Sequence, residues 1–322
     1  MSKIILHSLQ YRLESHSFTD ALYSVLAEKG WFTLPKCMLS GMTAACFRFS
    51  VHRQLHSDSA TAYNWMAEHL VACDLIGVTA SQMGGFNFTP TFPLYQQQAI
   101  SDIKACIDCG TGAVVWKDRF VIVNGYHEQK QVFYYLDGVA ESCQELPYLE
   151  LGRNHSAYAY YQVYEKQIEI DVLQAIKESF IQAVFKAETH DIMLPESGYA
   201  CGLAAYDAIV EALRSGRYDA EGAAETFFVY TAAKQDAAKY AQEVLAYWPA
   251  AKEIAAHYTR LSEIFEAITQ VELHTQPPPP SGLKELITLF DDAKAAETAA
   301  IQSIRHLLRE PIANRFHDIG LR

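Results

Sequence analysis

The chain has 322 residues, 50% apolar and 12% aromatic, enough to bury a sizeable core and incompatible with a disordered segment. A formal charge of −12 repels polyanions on average, so neither nucleic acid nor an anionic membrane surface is an expected partner. Seven scattered cysteines (Cys37, Cys46, Cys73, Cys106, Cys109, Cys143, Cys201) do not form a secreted disulfide pattern; they read as reduced thiols, and Cys106-x-x-Cys109 lacks the second ligand pair that zinc needs. No metal and no cofactor is expected. Residues 1–10 carry one lysine and one short apolar run, Ile4-Ile5-Leu6, so no signal peptide or spanning helix is expected there and the cytoplasm is the expected location.

Apolar residues at 18, 21, 22, 25 and 26 fall on one helical face, which predicts a helix over residues 17–29 stopped by Gly30. Further helices are predicted over 60–73 and 95–108, the latter ending at Gly110, with an irregular region between them around 83–93. Three runs rich in Val, Ile, Phe and Tyr, at 112–116, 120–124 and 132–136, predict consecutive antiparallel strands, and the aromatic run 157–164 is expected to join their sheet. The early helices are expected to cover one face of that sheet.

After Asp171, placed to cap a first turn, the pattern is helical only: from Leu173 to Ala187, after Gly202, over 223–247 and 250–271, and from 282 to 309 beyond the tetraproline 277–280, a stiff spacer or turn. The division is therefore residues 1–168, α+β, and residues 169–322, a helical bundle. The alanines of 293–300 would let helices approach closely, inside the bundle or in a homodimer.

The segment His16-Ser17-Phe18-Thr19-Asp20-Ala21-Leu22 resembles the nucleophile segment of the butirosin biosynthesis protein H family, Cys-x-x-x-Ala-Leu, with Ser17 at the cysteine position. Leu39-Ser40-Gly41, residues 105–116, Phe120-Val121-Ile122-Val123-Asn124-Gly125-Tyr126 and the segment 202–208 resemble that family too, in the same order, over roughly residues 5–265. The resemblance implies a papain-like N-terminal domain with a helical extension, and an acyltransferase or hydrolase site fed by an acyl carrier protein. It puts Arg119 where the family's general-base histidine opens a strand, Asp137 where the group orienting that histidine stands, and Gln10 near an oxyanion position.

Arginine holds its proton at neutral pH and cannot be a general base, and a serine hydroxyl without a base is a poor nucleophile. Ser17-x-x-Asp20 also matches a capping box, which accounts for both residues without catalysis. His16, His127 and His7 are the histidines that could restore a dyad, and Cys37, Cys46 and Cys201 are the alternative nucleophiles, although apolar neighbours argue for inert thiols. Arg119 and Asp137 could pair across the cleft or present a guanidinium to a carboxylate or phosphate, with Trp116, Tyr126, Tyr134, Tyr135, His127 and His16 as wall or binding residues. Three readings stay open: a papain-like protein with a degenerate centre, serving as a binding or accessory component in small-molecule or peptide biosynthesis; an active acyltransferase or amide or thioester hydrolase; and a helical dimerisation protein.

Overall fold

The computed structural model describes residues 3–140, 142–271 and 280–309. In chain order the elements are β1 (Lys3–Ile5), α1 (Ser17–Glu28), α2 (Lys36–Met42), β2 (Ser50–His52), α3 (Trp65–Leu75), β3 (Val78–Phe86), α4 (Phe92–Asp108), β4 (Ala113–Trp116), β5 (Phe120–His127), β6 (Val132–Leu136), β7 (Gln144–Pro147) and β8 (Tyr158–Gln167). They continue with α5 (Val172–Glu188), β9 (Tyr199–Cys201), α6 (Leu203–Ser215), α7 (Ala220–Val244), α8 (Lys252–Gln270) and α9 (Pro280–Leu308). The protein is α+β, with an antiparallel sheet followed by a helical region.

The seven-stranded sheet runs β3-β8-β4-β5-β6-β7, and β1 pairs with the far half of β5 along the edge that β4 uses at the near half. Side chains alternate across it with the two-residue period of a strand. Val114, Trp116, Phe120 and Ile122 face the core that contains α1 and the helical region, whereas Ala113, Val115, Val121 and Val123 face α4 through Ile103 and Ile107. The early helices thus divide between the two faces, α1 on one and α4 on the other, rather than covering one. This follows from the strands being apolar at nearly every position, the signature of a sheet buried on both sides.

Glycines end both helices as the sequence predicts, Gly30 after α1 and Gly110 after α4, each with a positive φ that other residues adopt at a cost. Asp171 caps α5, its Oδ1 accepting from the Leu173 and Gln174 N–H groups. The region around residues 83–93 is not irregular throughout: β3 reaches Phe86, paired residue for residue with β8 from Ala80 onward, and α4 begins at Phe92. The run 157–164 does join the sheet, but between β3 and β4.

The boundary at 168/169 falls in the connection between β8 and α5. Apolar packing is continuous across it: one core runs from Leu9 and Leu22 through Phe47 and Tyr206 to Ile304. A two-stranded ribbon, β2 with β9, also crosses it. Within the helical region Lys234 is fully buried against Phe49 and Phe265, and its ammonium donates to Glu297 Oε1 at 2.6 Å while Tyr206 donates to the other oxygen. Of the alanines of 293–300, Ala293 and Ala300 are fully buried inside the chain, Ala296 and Ala299 are half-buried and Ala295 is exposed. Residues 277–279 of the tetraproline lie outside the described residues. No helix among the described residues is long and apolar enough to cross a membrane.

Candidate functional site

The connection between β1 and α1 delivers a tyrosine to the point where the first turn of α1 meets the first residue of β5. The Tyr11 hydroxyl lies 3.1 Å from the Ser17 carbonyl oxygen and 3.0 Å from that of Phe120, sharing one proton between them. On the same contact the Phe120 N–H donates to Ser17 Oγ at 3.2 Å. Arg119 is the residue immediately before that N–H, so the start of α1 and the start of β5 meet here. The same loop reaches the end of β6, where the Leu13 N–H donates to the Gly138 carbonyl at 3.1 Å. Burial raises the Tyr11 pKa, Asp20 and Asp137 add to the rise, and Arg119 opposes it, so three charged groups lie within electrostatic reach of one phenol.

Asp137 is engaged locally. Its Oδ1 accepts from the Val139 and Ala140 N–H groups at 2.9 and 2.8 Å, and Oδ2 from the Gln144 amide at 2.6 Å. Burial raises its pKa, yet these donors and the more distant Arg119 hold it below the usual carboxylate range. Arg119 is exposed, and its guanidinium forms no ion pair with Asp137. Gln10 is exposed and its side chain makes no hydrogen bond among the described residues, so it does not join the group.

The capping box is not formed as expected. His16, not Ser17, is the N-cap, with no side-chain capping bond, and Ser17 is the first helical residue. Asp20 does reach back, but past Ser17: its Oδ2 accepts from the N–H groups of Glu14 and Ser15 at 2.7 and 2.6 Å, and Oδ1 from the Ser15 hydroxyl and the Lys36 ammonium at 2.9 and 3.0 Å. The chain ahead of α1 curls over the helix start, placing residues 14 and 15 where a capping box would place its N-cap.

The remaining named residues scatter. His16 is buried, its ring edge against Tyr230 at 5.9 Å and its Nε2 without a partner; burial, with the Arg48 and Lys36 cations, drives its pKa well below the histidine range. His127 and Tyr126 sit at the opposite end of β5, roughly 20 Å from its start at ~3.3 Å per residue, which removes them from Ser17. There Tyr126 donates to Asp108 at 2.7 Å, and His127 Nδ1 is buried without a partner. Trp116 does lie at the Ser17 end, paired with Phe120, but is buried with its indole N–H on Ser156 Oγ. Tyr134 and Tyr135 are buried as well; Tyr135 donates to Gln144, the residue that holds Asp137. Burial raises the pKa values of Cys37, Cys46 and Cys201, which leaves them weak nucleophiles.

Sequence reasoning missed Tyr11 and a buried histidine. The His69 ring stacks on Phe18 at 3.3 Å, with Tyr63 at Nε2 and Tyr160 at Nδ1, both at 2.9 Å. Tyr160 gives its own proton to Gln82, so it accepts from Nδ1–H, and Nε2 accepts from Tyr63. The imidazole is thereby fixed as one neutral tautomer with both nitrogens occupied, and burial drives its pKa well below the usual range. Nothing local in the sequence flags it, because its partners come from β8 and the turn before α3.

No family model matches this sequence, and neither does any curated protein at a significant level. Among the described residues the Ser17 hydroxyl has one hydrogen-bond partner, a backbone N–H, and no group positioned to take its proton. Among the described residues no three His, Cys, Asp or Glu side chains gather in a way that could hold a metal.

Proposed function

We propose that this chain is a papain-like protein of the butirosin biosynthesis protein H type whose catalytic centre is degenerate, acting as a binding or accessory component in small-molecule or peptide biosynthesis. The observation that carries the reading is the contact between Ser17 Oγ and the Phe120 N–H. It joins the helix start and strand start that such a centre requires, while occupying the hydroxyl as an acceptor and leaving Arg119, a permanent cation, at the base position. Asp137, at the orienting position, is engaged by its own turn. An active acyltransferase would need an imidazole within hydrogen-bond reach of Ser17, and His16, His69 and His127 all face elsewhere.

Purified protein is expected to hydrolyse neither peptides nor acyl thioesters, and Ser17→Ala to change no biological output. The family assignment is tested by rebuilding the dyad. Ser17→Cys combined with Arg119→His is expected to react with iodoacetamide at pH 7 at least about tenfold faster than Ser17→Cys alone, with an added inflection near ~6.5, the imidazole value. Identical rates and pH profiles for the two variants would remove the papain-like assignment.

A further inference from the structure

A cleft of about 270 Å³, whose lining does not include Ser17, opens between α3 and α5, near the lower end of the roughly 300–1,000 Å³ typical of small-molecule sites. One wall is apolar. Ala67, Val71 and Leu75, at i, i+4 and i+8 on α3, line it, while Ala72 and Cys73 on the other side of that helix are buried in the core. Val71 is 42% exposed and Phe185, opposite on α5, is 58% exposed; with Ile192 they are members of a larger set of exposed apolar side chains, and these three converge on the cleft.

The inner end is cationic. Arg48 is 7% exposed, its guanidinium stacked 3.5 Å from the centre of the Tyr63 ring. Its Nη1 donates to Glu68 Oε2 at 2.9 Å, and the Lys186 ammonium lies 2.9 Å from Oε1 of the same carboxylate. Arg48 Nε is buried with no partner at all. Burial raises the Glu68 pKa, but the two cations more than offset this and hold it below the usual value, so Glu68 is ionised and answers one positive charge of two. The other carboxylate of the lining, Asp191, is held by the backbone N–H groups of Asn64 and Met193 and pairs with neither cation, so the lining carries two cations and two carboxylates and only the Arg48–Lys186 end is positive. Arg48 Nε itself is shut off from solvent, and so from any ligand in the cleft; what the cleft offers an anion is the paired charge of Arg48 and Lys186.

We propose that this cleft binds a small amphipathic carboxylate, with its charged end at Arg48 and Lys186 and its alkyl or aryl body along Ala67, Val71 and Leu75. The proposal stands independently of the reading of Ser17. Isothermal titration with octanoate tests it, with octan-1-ol and octylamine as probes that keep the body and change the head. Octanoate is expected to saturate one site and the other two probes to bind at least ten times more weakly. Lys186→Met is expected to weaken octanoate at least tenfold. Ala67→Trp, at an exposed helix position on the cleft wall, is expected to abolish binding without unfolding the protein. No binding of octanoate, equal binding of octan-1-ol, or undiminished binding by Ala67→Trp would each overturn the proposal.

Discussion

The start of α1 and the cleft between α3 and α5 both gather charged side chains below the surface, but they differ in what those charges still have to do. At the helix start, Asp20 holds four donors, Asp137 three and Ser17 Oγ one, nearly all from the surrounding chain. In the cleft, two cations share one carboxylate and a buried guanidinium N–H has no acceptor. The first arrangement is a joint that fixes helix to strand; the second sets two cations on one carboxylate at the wall of an open cleft.

Substitutions should separate the two. The largest effect is expected at Asp20: replacing it with alanine strips acceptors from two backbone N–H groups, a hydroxyl and Lys36, and should destabilise the fold by about 3–5 kcal/mol in denaturant titration. A loss below about 1 kcal/mol would mean that the joint carries no load. Acid comes next. His16 and His69 are buried and neutral, with folded pKa values below the unfolded value of about 6.5, so the unfolded chain binds more protons as pH falls through that value. Stability should therefore drop between pH 6.5 and 5 by up to about 1.4 kcal/mol per pH unit for each histidine, and His69→Gln should flatten that slope even if it lowers the plateau. A slope unchanged in His69→Gln would show that this imidazole does not titrate as its burial requires. The smallest effect is expected at Ser17→Ala, about 1 kcal/mol from the lost Phe120 hydrogen bond, with no octanoate affinity lost.

Elements with a period were legible in the sequence. The apolar face of α1, the strands β4 to β6 and the Asp171 cap follow from local pattern and sit where that pattern puts them. β3 was hidden because Gly84 and Gly85 imitate a loop, and the strand holds through its pairing with β8, far along the chain. Three-residue strands such as β1, β2 and β9 have too few residues to show alternation. At the candidate site, the meeting of Ser17 with the residues around Arg119 was expected only through the family resemblance, since no local pattern carries it. The partners of each side chain were not, since Asp20 bonds residues 14 and 15 only because the preceding loop doubles back. The cleft left no trace in the sequence: Arg48, Glu68 and Lys186 come from a loop and two helices that meet only on folding.

Among the described residues the Ser17 hydroxyl meets a backbone N–H and no base. Intact-mass analysis after prolonged exposure of the folded wild-type protein to a fluorophosphonate probe tests this most directly. An unmodified mass is expected; a stoichiometric adduct mapped to Ser17 and absent from Ser17→Ala would show that a base activates this hydroxyl after all.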